Sequence, residues 1–233
     1  MIGFSDQPTS RFESQEKILI VTAVEAEADA VRRGLKLAGT PGEGADVIVA
    51  GVGSAAAAAG TARMLALGKY NCVISAGIGG AFPGMADIGS ILVATEIVAA
   101  DLGAETAEGR FVDVEQLGFG NARLPVDLTR TERLADTLRK KGLAVKTGPI
   151  LTVSTATGTA QTAKTRAARI PGAIGEAMEG YGVAIAAHAE RVPVLEIRAV
   201  SNMVGPRDRD AWRIPEALAV LERTSSILLE VLL

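Results

Sequence analysis

A length of 233 residues is that of one large α/β domain, and 48% hydrophobic with 22% charged residues is an ordinary soluble composition, which argues against a disordered or membrane-spanning chain. Because only 3% of the residues are aromatic, the core must be built from Ala, Val, Ile and Leu, as in a buried sheet covered by helices on both faces. The net charge of −3 disfavours nucleic-acid binding, which needs a basic surface.

The predicted elements alternate between strands and helices along the chain, which indicates a single α/β domain. Residues 1–16 are polar and lack periodicity, so we expect a loose N-terminal arm followed by one domain over residues 17–233. The predicted strands are ILIVTAV (18–24), DVIVA (46–50), CVISA (72–76), GSILVATEIVAAD (89–101), AVKTGPILTVS (144–154) and VLEIRAVSN (194–202). Helices are predicted over 25–37, 55–67, 127–142 and 213–233, and a polar helix is predicted after the TATGT loop. The segment 174–192 is predicted to begin with a short strand and to continue as a helix.

Two segments are predicted to be irregular. GIGGAF (77–82) is expected to form a Gly-rich turn after the third strand, and Ser54 is a plausible N-cap of the Ala-rich helix that begins next to it. Residues 102–123 are expected to form a long loop, and loops of that length are often functional.

Several classes of chemistry are excluded by residue type. With one cysteine, Cys72, and one histidine, His188, the sequence cannot form an intrachain disulfide, a Cys/His zinc cluster or an HExxH motif. We interpret Cys72 as a small buried residue and His188 as a packed or surface residue, and we predict no metal site. The sequence has neither an 18-residue apolar run nor a signal-peptide pattern, so we expect no membrane partner and a reducing, cytoplasmic setting.

Small or Gly-rich loops follow several of the predicted strands. They are AVEAE (23–27), AGVGS (50–54), SAGIGGA (75–81) and STATGT (154–159). Ligands of open α/β sheets bind at the carboxyl ends of the strands, and loops without bulky side chains leave backbone groups free to contact them. We therefore expect a pocket for a small polar ligand there, with compact turns as the alternative.

One of these loops resembles a dinucleotide fingerprint, but weakly. GVGSAAAAAG (51–60) follows a strand and precedes a helix, yet Asn71 and Cys72 stand about 20 residues beyond the first glycine, where the ribose-binding acid is expected. The glycines more simply allow tight packing between strand and helix.

Three polar residues at strand ends or helix starts are candidates for chemistry, together with an arginine inside an apolar strand. Glu27 lies in the first turn after the first strand, Glu179 follows a short strand, and Asn202 ends a strand that contains Arg198. Each also has a structural interpretation. A glutamate in the first turn of a helix interacts favourably with the helix dipole, and an asparagine after a strand is a common turn residue. A buried Arg198 needs a carboxylate partner, which Glu27 or Glu179 could supply.

Taken in order, these motifs resemble the nucleoside phosphorylase and nucleosidase superfamily, in its methylthioadenosine/adenosylhomocysteine nucleosidase branch, from about Lys17 to Leu233. The motifs are AVEAE, AGVGSAAAAAGTARML, SAGIGG, DIGSILVATEIVAAD, the A-M-E of 177–179 and RAVSN (198–202). AADLGAE (99–105) and SNMVGPRDRDAW (201–212) resemble, more narrowly, the futalosine hydrolase family, whose members release hypoxanthine from futalosine in the alternative menaquinone pathway.

The resemblance implies a mixed sheet wrapped by helices, an N-ribosyl hydrolase, no cofactor, and a homo-oligomer with a small purine nucleoside as ligand. Glu27 matches the acid that activates the attacking water. Glu179 matches the carboxylate that binds the ribose 2′ and 3′ hydroxyls, and Arg198 matches the arginine that orients these carboxylates. The candidate substrate-binding residues are Gly77, Ile78, Gly79, Gly80, Thr159, Met178, Glu179, Arg198 and Arg207.

The sequence departs from the adenosine-type pattern at the residues that would contact the purine base. Asn202 stands where those nucleosidases carry the aspartate that protonates N7, and an amide can pair with O6 and a protonated N7, which favours hypoxanthine. The phenylalanine that stacks on the base falls at Gly158, so Phe119 and Trp212 become the candidates. Arg207 and Arg209 are candidates for the benzoate of futalosine.

Three alternatives remain open besides an adenosine-type nucleosidase. A phosphorylase would need a phosphate loop with arginines near the first strand, where this chain has Thr22-Ala23-Val24-Glu25. A non-catalytic nucleoside-binding module would bind ligand without needing Glu27. A purely structural protein would leave the pairing of Glu179 with Arg198 unexplained.

Overall fold

The computed structural model describes residues 17–39 and 44–233, so the predicted N-terminal arm lies outside the described residues. The strands are β1 (Ile18–Thr22), β2 (Ala45–Val49), β3 (Cys72–Ala81), β4 (Ile91–Ala99), β5 (Gly103–Glu105), β6 (Phe111–Asp113), β7 (Arg123–Pro125), β8 (Val145–Thr152), β9 (Gly175–Ala177) and β10 (Val194–Met203). The helices are α1 (Glu25–Leu37), α2 (Ser54–Leu67), α3 (Leu128–Lys140), α4 (Ala160–Arg169), α5 (Gly180–Ala189) and α6 (Ile214–Leu232).

The main sheet has eight strands and is mixed, as expected from the resemblance. Its order is β10-β4-β8-β9-β3-β1-β2, with β7 beside β4. Strand β10 pairs with β3 as well as with β4, so five strands close on one another and β1 and β2 extend beyond them. The neighbours of β3 therefore include β1, β9 and β10, and their ends meet around it.

Helices cover both faces of this sheet, and aliphatic side chains fill the two layers. Helices α1, α3 and α6 pack on one face over a core that includes Ile20, Ile74 and Leu228. Helices α2 and α5 pack on the other, over Leu19 and Val73. Each fully buried aliphatic side chain contributes roughly 1.5–3 kcal/mol of transfer free energy, so the core needs few aromatic residues, as the composition predicts.

Three local predictions differ from the structure. Residues 77–81 continue β3 instead of forming a Gly-rich turn, because these glycines allow buried side chains to approach a strand backbone. The segment 102–123 contains the hairpin of β5 and β6 and so is not wholly a loop. Ser54 is the first residue of α2, and Gly53 occupies the N-cap with a φ of 92°, which favours glycine.

None of the helices in the described part of the chain is both long and apolar enough to cross a bilayer.

Candidate active site

A cavity of about 320 Å³ lies where β1, β3, β9 and β10 end. This position confirms the expectation of a pocket at the carboxyl ends of the strands. Of the predicted site residues, the cavity is lined by Glu27, Ile78, Gly79, Gly80, Met178, Glu179, Asn202 and Arg207. The fold thus brings together residues that lie up to 180 positions apart in the chain.

Glu27 is held at the cavity by backbone N–H groups. It lies in the first turn of α1, and its Oε2 accepts hydrogen bonds from the amides of Ala23 at 2.9 Å and Val24 at 3.3 Å. Its Oε1 accepts a bond from the amide of Ile78 in β3 at 2.9 Å. All three partners are donors, so the site suits an acceptor-only, ionised carboxylate, which has about four lone-pair positions. One position is left for a further donor from the cavity.

Glu179 is fixed where the N-termini of α2 and α5 meet. Its Oε1 accepts the amide of Gly53 at 3.2 Å, and its Oε2 lies 3.2 Å from Nη1 of Arg198. The side chain of Arg198 is 1% exposed, and its Nη2 donates to Ser75 Oγ at 2.7 Å. Arg198 therefore lies behind the cavity and orients Glu179 from within the core.

Arg198 has a second carboxylate partner that the sequence reasoning missed. Glu196, two residues earlier on β10, is fully buried and accepts Nε of Arg198 at 2.9 Å. Its Oε2 has no hydrogen-bond partner among the described residues and packs against Gly180, where a Cβ would lie 2.2 Å from that oxygen. The spacing of Glu196 and Arg198 in the sequence could have identified this pair, because residues i and i+2 of a strand project to the same face.

The charges of this cluster are unbalanced, because one guanidinium faces three glutamates. Burial raises the pKa of Glu196 above its usual value, against the opposing effect of Arg198. Burial also acts to lower the pKa of Arg198, but the surrounding glutamates together raise it above its usual value. Arg198 thus stays charged, and Glu196 takes up a proton more readily than an exposed glutamate does.

A glycine is required at position 77 because the side chains of Glu27 and Arg198 both lie close to its backbone. A Cβ at this position would lie 2.6 Å from Oε1 of Glu27 and 2.7 Å from Nη1 of Arg198. Gly77 does not line the cavity itself. It allows the Glu27 carboxylate and the Arg198 guanidinium to lie against the β3 backbone.

Asn202 reaches the cavity because of an irregularity in β10. Val200 pairs with Gly79, but the next paired residue is Asn202, opposite Gly80, so one residue is bulged. Bulges re-aim side chains near functional sites. The Oδ1 of Asn202 accepts Ser201 Oγ at 2.8 Å, and its Nδ2 donates to the carbonyl of Met203 at 3.1 Å.

A further buried carboxylate lines the cavity and was absent from the predicted set. Glu176 on β9 accepts the amide of Thr157 at 2.7 Å and its hydroxyl at 2.5 Å. Arg166 of α4 donates to Oε2 of Glu176 at 3.3 Å and lies 3.7 Å from Asp101. No sequence signal marks Glu176, because its position depends on the pairing of β9 with β3.

Several other predicted residues lie elsewhere. Thr159 is the N-cap of α4, where its hydroxyl accepts the amide of Thr162; it is exposed and does not line the cavity, whereas Thr157 does. Trp212 lines the cavity, but Phe119 is 84% exposed and lies outside it. Arg209 also lies outside the lining.

Cys72 and His188 occupy the positions that their interpretation predicted. Burial raises the pKa of the Cys72 thiol to about 12, so this thiol is unreactive. His188 lies in the last turn of α5, and its Nε2 is 3.0 Å from the carbonyl oxygen of Pro125. In the described part of the chain, no group of three or more His, Cys, Asp or Glu residues could hold a metal ion.

Comparisons with known proteins identify the family of the chain and its fold. A family model described as the Phosphorylase superfamily matches residues 39–233, and the chain belongs to that superfamily. The fold is also that of the 5′-methylthioadenosine/S-adenosylhomocysteine nucleosidase from Neisseria meningitidis, solved in complex with methylthio-immucillin-A. The TM-score is 0.77 at 20% identity, over 92% of this chain and 97% of that one.

Curated relatives narrow the assignment. The futalosine hydrolase of Streptomyces coelicolor is 50% identical over 222 residues, which cover 88% of this chain and 91% of the relative. That of Thermus thermophilus is 34% identical over 195 residues, covering 82% and 81%. Within the superfamily, the chain belongs to the futalosine hydrolase family.

Proposed function

We propose that the protein hydrolyses the N-glycosidic bond of futalosine and releases hypoxanthine. The observation that carries this proposal is the Glu27 carboxylate, fixed by three backbone amides at the wall of the cavity and left with one free acceptor position. Membership of the futalosine hydrolase family supports the substrate. The cavity has the size of a small-molecule site.

In the proposed mechanism Glu27 accepts a proton from a water molecule that attacks C1′ of the ribose. The C1′–N9 bond breaks, its electron pair goes to the purine, and N7 of the base takes up a proton from solvent water. Glu27 returns its proton to solvent afterwards, so one water molecule is consumed and no net proton is gained or lost. The transition state resembles an oxocarbenium ion, which a nearby carboxylate stabilises, and a positioned general base contributes roughly 10²–10⁴-fold. Glu179 binds the 2′ and 3′ hydroxyls, and Arg198 holds it in place.

Hydrolysis is favoured over phosphorolysis by the chemistry of the segment after β1. The Ala23 and Val24 amides already donate to Glu27, and Thr22–Glu25 includes no cationic side chain for a phosphate. The test incubates the protein with futalosine, inosine and methylthioadenosine, with and without phosphate, and follows the released base by chromatography. Phosphate-independent release of hypoxanthine from futalosine is expected. Adenine release, or dependence on phosphate, would contradict the proposal.

Asn202 is proposed to select the 6-oxopurine. Its amide can donate to O6 and accept from a protonated N7, whereas an aspartate would serve an adenine better. Asn202→Asp is expected to shift kcat/KM from futalosine toward its 6-amino analogue by about tenfold or more. Asn71→Asp makes the same chemical change just before β3, at the far end of that strand, and should leave the ratio unchanged. An unchanged ratio in Asn202→Asp would remove this role.

Arg207 is proposed to bind the benzoate carboxylate. It lines the cavity, and its guanidinium carbon lies 5.4 Å from the centre of the Trp212 ring, which also lines it. Arg207→Gln should therefore raise KM for futalosine by about tenfold while that for inosine, which has no benzoate, stays the same. Arg209→Gln is the matched control because Arg209 lies outside the lining. Equal losses on both nucleosides would argue for a structural role.

The remaining features of the proposal are a homo-oligomer, a cytoplasmic setting and a place in menaquinone biosynthesis. Apolar side chains near α2 and α5 support association: Val52 is 57%, Leu67 73% and Ile185 43% exposed. Light scattering is expected to give a mass that is a multiple of 24.0 kDa, and a monomer at micromolar concentration would contradict association. The cytoplasmic setting stays a prediction from the sequence.

A further inference from the structure

The Glu176 carboxylate lies in the same row of the sheet as Asn202. Gly80 of β3 pairs with Asn202 on one side and with Glu176 on the other. Paired residues on neighbouring strands project to the same face, and strands lie about 4.8 Å apart. The Cα atoms of Asn202 and Glu176 are therefore roughly 10 Å apart, on either side of a glycine that has no side chain.

Gly80 keeps the space between these two residues open. A Cβ there would lie 3.1 Å from Nδ2 of Asn202 and 2.9 Å from Val204, so a larger residue would displace the amide. The cavity is lined by Gly80, Asn202 and Glu176 together. A flat base placed over Gly80 would present one edge to the carboxamide and another to the carboxylate.

Glu176 is built to face a hydrogen-bond donor. It is 8% exposed, and Thr157 holds both of its oxygens. Oε2 accepts two bonds, from the Thr157 hydroxyl and from Arg166, whereas Oε1 accepts one, from the Thr157 amide. A carboxylate has about four lone-pair positions, so one remains on Oε1. The positive charge of Arg166 offsets the buried negative charge of the Glu176 carboxylate.

We propose that Glu176 is a specificity-determining residue that accepts the N1–H of a 6-oxopurine while Asn202 pairs with its O6 and N7 edge. This inference rests on the proposed function. In hypoxanthine N1 carries a proton, but in adenine N1 is an acceptor that would face the carboxylate without a hydrogen bond. Glu176 therefore supplies discrimination against adenine that Asn202 alone does not give, because a mismatched polar site rejects a ligand strongly.

The test is Glu176→Gln, measured on futalosine and on its 6-amino analogue. The amide can present its carbonyl to the N1–H of hypoxanthine or its NH₂ to N1 of adenine, so the kcat/KM ratio should fall by about tenfold or more. Asp101→Asn is the matched control: it makes the same chemical change on the other side of Arg166, and Asp101 does not line the cavity. In Asp101→Asn, kcat/KM should change by the same factor for both substrates, so their ratio should stay the same.

An unchanged ratio in Glu176→Gln would overturn the inference, even if both rates fall. Should this variant not fold, calorimetry on the unaltered protein with hypoxanthine and 1-methylhypoxanthine gives a second readout. Methylation removes the N1–H, so binding should weaken by about tenfold or more, and equal binding would contradict the contact. If the unaltered protein releases no hypoxanthine from futalosine, the proposed function fails, and the binding measurement still decides the N1 contact.

Discussion

Glu27→Gln is expected to lower kcat on futalosine by two or more orders of magnitude while the protein still folds and binds the nucleoside. The carboxylate oxygens of Glu27 accept bonds from the amides of Ala23, Val24 and Ile78. A glutamine has one acceptor oxygen, so its NH₂ group would face at least one of these N–H donors, and it cannot take a proton from water. Single-turnover assays measure the loss of the chemical step, and calorimetric titration measures whether the nucleoside still binds.

Glu25→Gln is the matched control for this experiment. Glu25 lies in the same first turn of α1 and has the same relation to the helix dipole, but it is exposed and pairs only with Arg32 among the described residues. Its activity should equal that of the unaltered protein. Turnover by Glu27→Gln at a comparable rate would assign water activation to another group, and loss of binding together with turnover would indicate a collapsed site instead.

The sequence predicts the order of the main elements well because the six longer strands, β1, β2, β3, β4, β8 and β10, contain β-branched runs and most helices show helical spacing. Glu27, Glu179 and Asn202 could be singled out because they are charged or amide residues at strand ends or helix starts. Arg198 could be singled out because it is a charged residue inside an apolar strand. The mixed closure of the sheet could not be derived from local patterns. It depends on β10 pairing with both β3 and β4, which no short stretch of sequence encodes.

The residues that were missed or misplaced have specific physical reasons. Glycines normally weaken strands, so GIGGAF (77–82) is predicted to form a turn. In the structure Gly77 lies within β3, where its missing Cβ leaves room for Glu27 and Arg198. Thr159 and Thr157 flank the same glycine, and only the geometry shows that the first is a helix cap and the second lines the cavity. Glu176 becomes visible only through its register with Gly80.

Arg198→Met is expected to cause the largest loss of stability among these variants, about 3–5 kcal/mol, because it leaves a fully buried carboxylate without its cation. Glu196 is 0% exposed and Glu179 is 7% exposed, so neither can be rehydrated without local unfolding. For a domain of this size each kcal/mol lowers Tm by about 2–4 °C. Calorimetric scans measure this loss. Arg33→Met is the control, since Arg33 pairs with Glu222 at 2.7 Å but is 55% exposed, and such pairs are worth about 1 kcal/mol or less.

Arg198→Met should also lower kcat/KM by about a hundredfold or more, since a displaced catalytic group costs about that much. Glu179 would keep its carboxylate but lose the guanidinium that holds it, so the preference for ribonucleosides over 2′-deoxynucleosides should shrink as well. The double variant Glu196→Leu with Arg198→Met separates stability from catalysis. Replacing both members of a buried ion pair by apolar residues is often nearly neutral for stability, so much of the lost Tm should return. Activity should not return, because Glu179 keeps its backbone N–H partners but still lacks the guanidinium. A double variant that regains both stability and activity would show that Arg198 serves the fold and not the site.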